Sequence, residues 1–338
     1  MSSLITPFNF PNAMTSRKLA PALAAGNTTV VKPDHQCPLS TLAIGVLAER
    51  AGIPCGVINI VTTDRSPEIG ECLTSDNRVR KISFTGSTKV GQILLKACAS
   101  TVQRTSMELG GNAPFIVFGD ADVNAAADGL MQSKFRNAGQ TCVCANRVYV
   151  HDDIYDEFAT AVIKRVNKLK VGWFKTSSDI TIGPLINRSA VEKVDAMVRD
   201  AEAQGGKVLI GGKRLPELGE NFFAPTVITE CNADMRVIKE EIFGPIAALV
   251  RFTNTDDVIA SANSTDVGLA AYFYANSLSL CFKVASELEA GIVGVNTGLV
   301  STEVAPFGGV KHSGMGREGS KHGIEDYTQL KSVAFQFK

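Results

Sequence analysis

The chain has 338 residues, 45% of them hydrophobic, and its 34 Lys+Arg are balanced by 34 Asp+Glu. That length has room for two or three domains with substantial cores, and zero net charge without any single-sign block excludes the basic field that nucleic acid or an anionic membrane requires. Eight cysteines are scattered with no CxxC pair, so neither a metal site nor a secreted disulfide framework is expected, and a reducing compartment is implied: the cytoplasm, with the mitochondrion as the alternative.

In chain order, "MSSLITPFNFPNAM" has no charged segment leading into an apolar core, and nowhere do about 18 apolar residues run together, so a soluble chain is expected. "SLITPF" reads as a first strand. The helical stretch "AMTSRKLAPALAAG" follows, closed by Gly26, and then the strand "NTTVVK" at 27–32. "STLAIGVLAERAG", closed by Gly52, leads to the strand "GVINIVT" at 56–62. A polar helix leads to "KISFTG" at 81–86, and "TSMELGG" supplies a fifth strand. Strands alternating with helices predict a parallel α/β sheet with crossover helices. A second α/β region runs from "APFIVF" at 113–118, with helices near 121–136, 152–169 and 188–204. The Gly-rich "PFGGVKHSGMGREGS" at 306–320 reads as a loop, and the tail "VAFQFK" as a strand without a nearby partner.

Three motifs carry chemistry. In "FTGSTKVG" at 84–91, Gly86 allows a tight turn and Ser87 caps the next helix, whose open N–H groups make an anion site; the same turn is also ordinary packing punctuation. In "SMELGGNAPF" at 106–115, Glu108 sits among apolar residues at a strand end, where burial would raise its pKa and suit it to take a proton; a surface glutamate is the plain alternative. In "GQTC" at 139–142, Gly139 breaks a helix just before Cys142, and an exposed thiol there would serve as a nucleophile, although most cysteines are inert.

Together, "TPFNFP" (6–11), "VVKP" (30–33), "FTGST" (84–88), "MELGG" (107–111), "GQTC" (139–142), "EEIFGP" (240–245) and "PFGG" (306–309) resemble the aldehyde dehydrogenase superfamily in order and spacing, over essentially the whole chain. "SKFRNAGQTCVCANR" and "PFGGVKHSGMGREGSKHGIEDY" are most similar to its succinate-semialdehyde dehydrogenases. The resemblance implies a Rossmann-like cofactor domain at 1–109, an α/β catalytic domain at 110–320 and a C-terminal arm or oligomerisation strand at 321–338.

It also implies roles. Cys142 would attack the aldehyde, Asn9 and the Cys142 N–H would stabilise the oxyanion, and Glu108 would activate the water that hydrolyses the thioester. Thr6, Pro7, Phe8, Lys32, Pro33, His35, Gly86, Ser87, Val90, Leu109, Glu241 and Phe243 would line the cofactor site. Many NAD-using relatives carry a glutamate where His35 stands; a carboxylate there would repel a 2′-phosphate by about 4 kcal/mol at about 4 Å. NADP is therefore preferred over NAD. Arg17, Arg136 and Ser301 would hold a distal substrate carboxylate, and Cys144 would form a reversible disulfide with Cys142 under oxidation.

Family members usually carry a long segment before "ITPFNFP", including a hairpin that pairs with a neighbouring subunit. The expectation is thus an N-terminally truncated aldehyde dehydrogenase fold with exposed apolar faces and weakened homo-oligomerisation. Two alternatives stand beside succinate semialdehyde oxidation: a catalytically inactive protein that binds nucleotide or a full-length relative, and an aldehyde dehydrogenase of another specificity.

Overall fold

The structure is a computed structural model describing residues 1–337. Two compact units share the chain: Met1–Glu108 with Thr302–Gly308 and the residues from Gly314 onward, and Leu109–Ser301 with Gly309–Ser313. The second unit is therefore not one run from 110 to 320.

The first unit contains β1 (Ser2–Ile5), α1 (Pro11–Ala24), β2 (Thr29–Lys32), α2 (Leu39–Arg50), β3 (Ile58–Ile60), α3 (Ser66–Ser75), β4 (Lys81–Thr85), α4 (Thr88–Cys98) and β5 (Arg104–Glu108). Its parallel strands lie in the order β5-β4-β1-β2-β3, and Gly314–Met315 adds an antiparallel edge to β5. All five expected strands are present, with the 56–62 segment shortened to three residues. α1 begins with proline at its first position, where the missing N–H is no loss, and is followed by Gly26 at φ +73°, a left-handed residue accessible to glycine. Leu4, Val31 and Leu19 are buried together between sheet and helix.

Outward, α2 exposes Leu39, Val46 and Leu47, and α4 exposes Val90 and Ile93. Residues 329–337 form no strand, contrary to the reading of "VAFQFK", and Leu330, Phe335 and Phe337 are exposed. A strand is stable only when its backbone groups find partners, and no strand among the described residues pairs with 329–337; Lys338 lies outside the described residues. Between α4 and β5, Val102 is left-handed at φ +51° and 89% exposed.

The second unit contains β6 (Ala113–Val117), α5 (Val123–Lys134), β7 (Ala145–His151), α6 (Tyr155–Val166), α7 (Arg188–Ala203), β8 (Lys207–Ile210), β9 (Thr226–Thr229), α8 (Arg236–Lys239), β10 (Ile246–Phe252), α9 (Thr255–Asn263), β11 (Val267–Gly268), β12 (Ala270–Tyr274), α10 (Leu278–Glu287), β13 (Ile292–Val295) and β14 (Val310–Lys311). Seven strands form a sheet in the order β13-β12-β6-β7-β10-β9-β8, parallel except for β8, and β11 pairs with β14. Buried-strand runs such as "APFIV" and "AAYFY" show no alternation because both sheet faces are covered. Ile116, Phe118, Phe252, Phe273 and Val284 form part of one apolar core beside β6, β10 and β12.

Candidate active site

In the first unit, connections leave β1 and β4 toward opposite sides of the sheet. The strand order reverses between these neighbours, and open α/β sheets bind ligands at the carboxyl ends of the strands at such a reversal. There lie Thr6, Pro7, Phe8 and Asn9 after β1, and Gly86 and Ser87 after β4. The Gly86 N–H donates to the Glu108 carbonyl at 3.1 Å, and a Cβ at position 86 would stand 2.4 Å from the Phe84 ring. Ser87 caps α4, its Oγ accepting the Val90 N–H at 3.4 Å. A turn without a side chain leading into a capped helix N-terminus fits a dinucleotide phosphate.

Lys32 ends β2, buried; burial pushes its pKa down and Asp34 opposes this. Pro33 is buried beside it, and His35 is exposed, with Nδ1 3.6 Å from Asp34 Oδ1. The histidine thus does not leave the loop without a carboxylate, since Asp34 stands one residue earlier, its Oδ1 accepting the Gln36 N–H at 2.9 Å.

Glu108, the last residue of β5, is 3% exposed, and neither carboxylate oxygen has a hydrogen-bond partner. Burial pushes its pKa well up, the neighbouring Glu318 adds to this, and Lys18, Arg317 and Arg17 oppose it. Lys18 of α1 is fully buried, ion-paired with Glu318 and donating to Ser83 Oγ at 3.1 Å. Arg17 stacks its guanidinium 4.4 Å from the Phe307 ring centroid, and its Nη1 is buried with no acceptor. Sequence reading missed Lys18 and Glu318. A signal for the lysine was present: Met14, Thr15, Lys18, Leu19 and Ala22 are the buried face of α1, and a lysine at helical spacing within such a stripe needs a buried partner.

In the second unit, Asp122 caps α5 by accepting the Asn124 and Ala125 N–H groups at 2.8 and 3.0 Å. After α5 the chain takes three left-handed residues, Asn137 (φ +53°), Ala138 (φ +55°) and Gly139 (φ +77°), which turn it sharply toward Cys142. Gly139 is required twice over, because a Cβ there would stand 2.1 Å from the Gly244 carbonyl oxygen. Gln140 pins the loop, its Oε1 accepting the Ile186 N–H at 2.8 Å.

Cys142 is half-buried. Cys144 is buried, its thiol pushed up by burial and donating to the Lys134 carbonyl at 3.4 Å, and no disulfide joins any of the eight cysteines. Gly111 explains half of the Gly–Gly pair: its N–H donates to Glu241 Oε1 at 3.1 Å, and a Cβ there would stand 2.7 Å from the Cys142 carbonyl oxygen. The Cys142 loop and Glu241 thereby share one backbone neighbour. Burial pushes Glu241 up to about 7, against the Gly111 N–H, Lys193 and Lys134. Lys193, also missed in the sequence, donates to the Glu241 carbonyl at 2.6 Å, and Phe243 is left-handed at φ +53°. Leu109 donates its N–H to the Ser313 carbonyl at 2.9 Å, while Arg136 and Ser301 are exposed. The first unit thus gathers Asn9, Arg17, Lys32, Ser87 and Glu108, and the second Cys142, Cys144, Arg136, Glu241 and Phe243. Among the described residues no cluster of three metal-ligating side chains occurs, and no helix is long and apolar enough to cross a membrane.

Residues 1–333 match the model of the aldehyde dehydrogenase family. The chain belongs to this family. Its members are NAD(P)-dependent oxidoreductases, and the chain is one of that enzyme class. It is 55% identical over 331 residues to the NADP(+) succinate-semialdehyde dehydrogenase of Escherichia coli (strain K12), covering 98% of this chain and 68% of that one. It is 53% identical to a 3-sulfolactaldehyde dehydrogenase of Pseudomonas putida, with the same coverage of both chains. A crystal structure of an E. coli NADP-dependent enzyme superposes with a TM-score of 0.96 at 55% identity, over 98% of this chain and 68% of that one. The chain thus spans about two thirds of the length of these relatives.

Proposed function

We propose that the protein oxidises succinate semialdehyde to succinate, using NADP in preference to NAD. The observation that carries the substrate class is Arg17: its Nη1 is buried without an acceptor, and a distal carboxylate would satisfy it. Arg136 and Ser301 are assigned to the same carboxylate. A sulfonate would meet the same guanidinium chemistry, and the likeness to a 3-sulfolactaldehyde dehydrogenase makes that aldehyde the second reading.

In the proposed chemistry the Cys142 sulfur attacks the aldehyde carbon, a C–S bond forms, and the carbonyl oxygen becomes an oxyanion that accepts hydrogen bonds from the Asn9 amide and the Cys142 N–H. Thr6, Pro7, Phe8, Lys32, Pro33, His35, Gly86, Ser87, Val90, Leu109, Glu241 and Phe243 would hold the dinucleotide, which when bound supplies the hydride acceptor. Glu108, buried and without hydrogen-bond donors, then takes a proton from the water that attacks the Cys142 thioester, releasing the acid and the thiol. Under peroxide, which takes up the two electrons and two protons that the thiols lose, a reversible Cys142–Cys144 disulfide is proposed to block the nucleophile; peroxide inactivation undiminished by Cys144→Ala would rule it out.

Turnover of the purified chain tests the substrate reading. Succinate semialdehyde is expected to exceed butanal in kcat/KM by about 100-fold, and Arg17→Met to remove most of that difference. Equal turnover of the two aldehydes by the unmutated protein would overturn it.

A further inference from the structure

Glu241 lies two residues beyond α8, and a helix end leaves its last carbonyls without partners inside the helix. Two buried asparagines meet them. The Asn112 Nδ2 donates to the Ile238 carbonyl at 3.0 Å and to that of Lys239 at 3.4 Å, while the Asn146 Nδ2 donates to the Glu240 carbonyl at 2.9 Å and to that of Val237 at 3.4 Å. The Asn146 Oδ1 then accepts the Ile242 N–H at 2.9 Å. One side chain thus grips the backbone on both sides of Glu241.

The two amides are also joined to each other, the Asn146 Nδ2 donating to Asn112 Oδ1 at 2.7 Å. Asn112 follows Gly111, whose N–H donates to Glu241 Oε1 at 3.1 Å. The Asn112 carbonyl is fixed in turn by Arg147, buried at the start of β7, whose Nε and Nη2 donate to it at 3.0 and 2.9 Å. The same guanidinium donates to the Ser261 and Ala262 carbonyls in the last turn of α9 at 2.9 and 2.8 Å. Both ends of the Gly111–Glu241 hydrogen bond therefore hang on one buried network. A network of this kind holds a single backbone geometry, because any shift would leave buried polar groups unpaired.

We infer that Asn146, joined to Asn112, is a positioning residue for the cofactor, its amide setting the direction in which Glu241 presents its carboxylate. The inference rests on the proposed assignment of Glu241 to the nicotinamide ribose. Hydrogen bonds weaken steeply away from linearity, so a carboxylate aimed before the ribose arrives binds it better than one that must be ordered on binding.

The experiment is calorimetric titration of the purified chain with NADP at about pH 8.5, above the value of about 7 to which burial pushes Glu241. The proteins are the unmutated chain, Asn146→Leu, Asn146→Ser, Glu241→Gln and the double variant Asn146→Leu with Glu241→Gln, with urea midpoints taken for each. Asn146→Leu is expected to weaken NADP about tenfold, and most of that loss to vanish when Glu241 is already glutamine, because the two act as one unit. In steady state the KM for NADP should rise while the aldehyde KM at saturating NADP stays within about twofold. Asn146→Ser, which keeps a donor and an acceptor, should recover part of the affinity. If Asn146→Leu does not fold, Asn146→Ser carries the expectation of a smaller, Glu241-dependent loss. A merely structural role would lower the urea midpoint without coupling to Glu241. Unchanged NADP affinity in a folded Asn146 variant, or the same loss with and without the Glu241 carboxylate, overturns the role of Asn146 while Glu241→Gln itself still weakens binding. Unchanged affinity in Glu241→Gln, or no NADP binding by the unmutated chain, overturns the cofactor assignment, and the inference with it.

Discussion

Two carboxylates, Glu108 in the first unit and Glu241 in the second, are both pushed up by burial, yet their surroundings suit opposite tasks. Glu108 receives no hydrogen bond and has another acid, Glu318, as neighbour, so its anion is poorly stabilised and takes a proton readily. Glu241 accepts a backbone N–H and faces two lysines, which oppose the burial that pushes it up to about 7, so above neutrality its anion persists as a hydrogen-bond acceptor. In the proposed roles the same residue type is a base in one setting and an anchor in the other, and hydrogen-bond donors distinguish the two.

Both roles presuppose chemistry at Cys142, so Cys142→Ala is the most drastic way to break the comparison. Its turnover should fall by about four orders of magnitude or more, measured as reduced cofactor formed, with NADP affinity retained. Glu108→Gln should come next, at about 100- to 1000-fold in steady-state rate. Because the base acts after hydride loss, the variant should still release about one equivalent of reduced cofactor per enzyme in a rapid burst, and absence of the burst would argue for a different step. Lys18→Met sharpens the contrast: losing a cation raises Glu108 further, so the acidic limb of the pH–rate profile should move to higher pH, whereas a merely structural role would lower the rate without moving the limb. Glu241→Gln should weaken NADP about tenfold and leave the burst size unchanged. Ser87→Ala should do least, costing about 0.5–1 kcal/mol of stability through the lost α4 cap, read from urea midpoints.

Much of the first unit was legible because its strands are punctuated by Gly26, Gly52 and Gly86, whose positions follow from local backbone chemistry. The Glu108 environment was legible only in part. Apolar neighbours announced burial, but the Lys18–Glu318 pair joins residues 300 positions apart, and no local pattern encodes that pairing. The reason for the second glycine of "ELGG" was hidden likewise, since the Cys142 carbonyl that crowds Gly111 arrives from a distant loop. "VAFQFK" has the β-branched and aromatic composition of a strand, but among the described residues 333–337 pair with no strand, and composition cannot supply a partner.

Val102 carries a practical consequence. A β-branched residue in the left-handed region costs about 1 kcal/mol, and at this solvent-facing position no packing offsets it. Asparagine tolerates that conformation far better, so Val102→Asn should lengthen the working life of the protein on warming, from a site that none of the proposed chemistry touches.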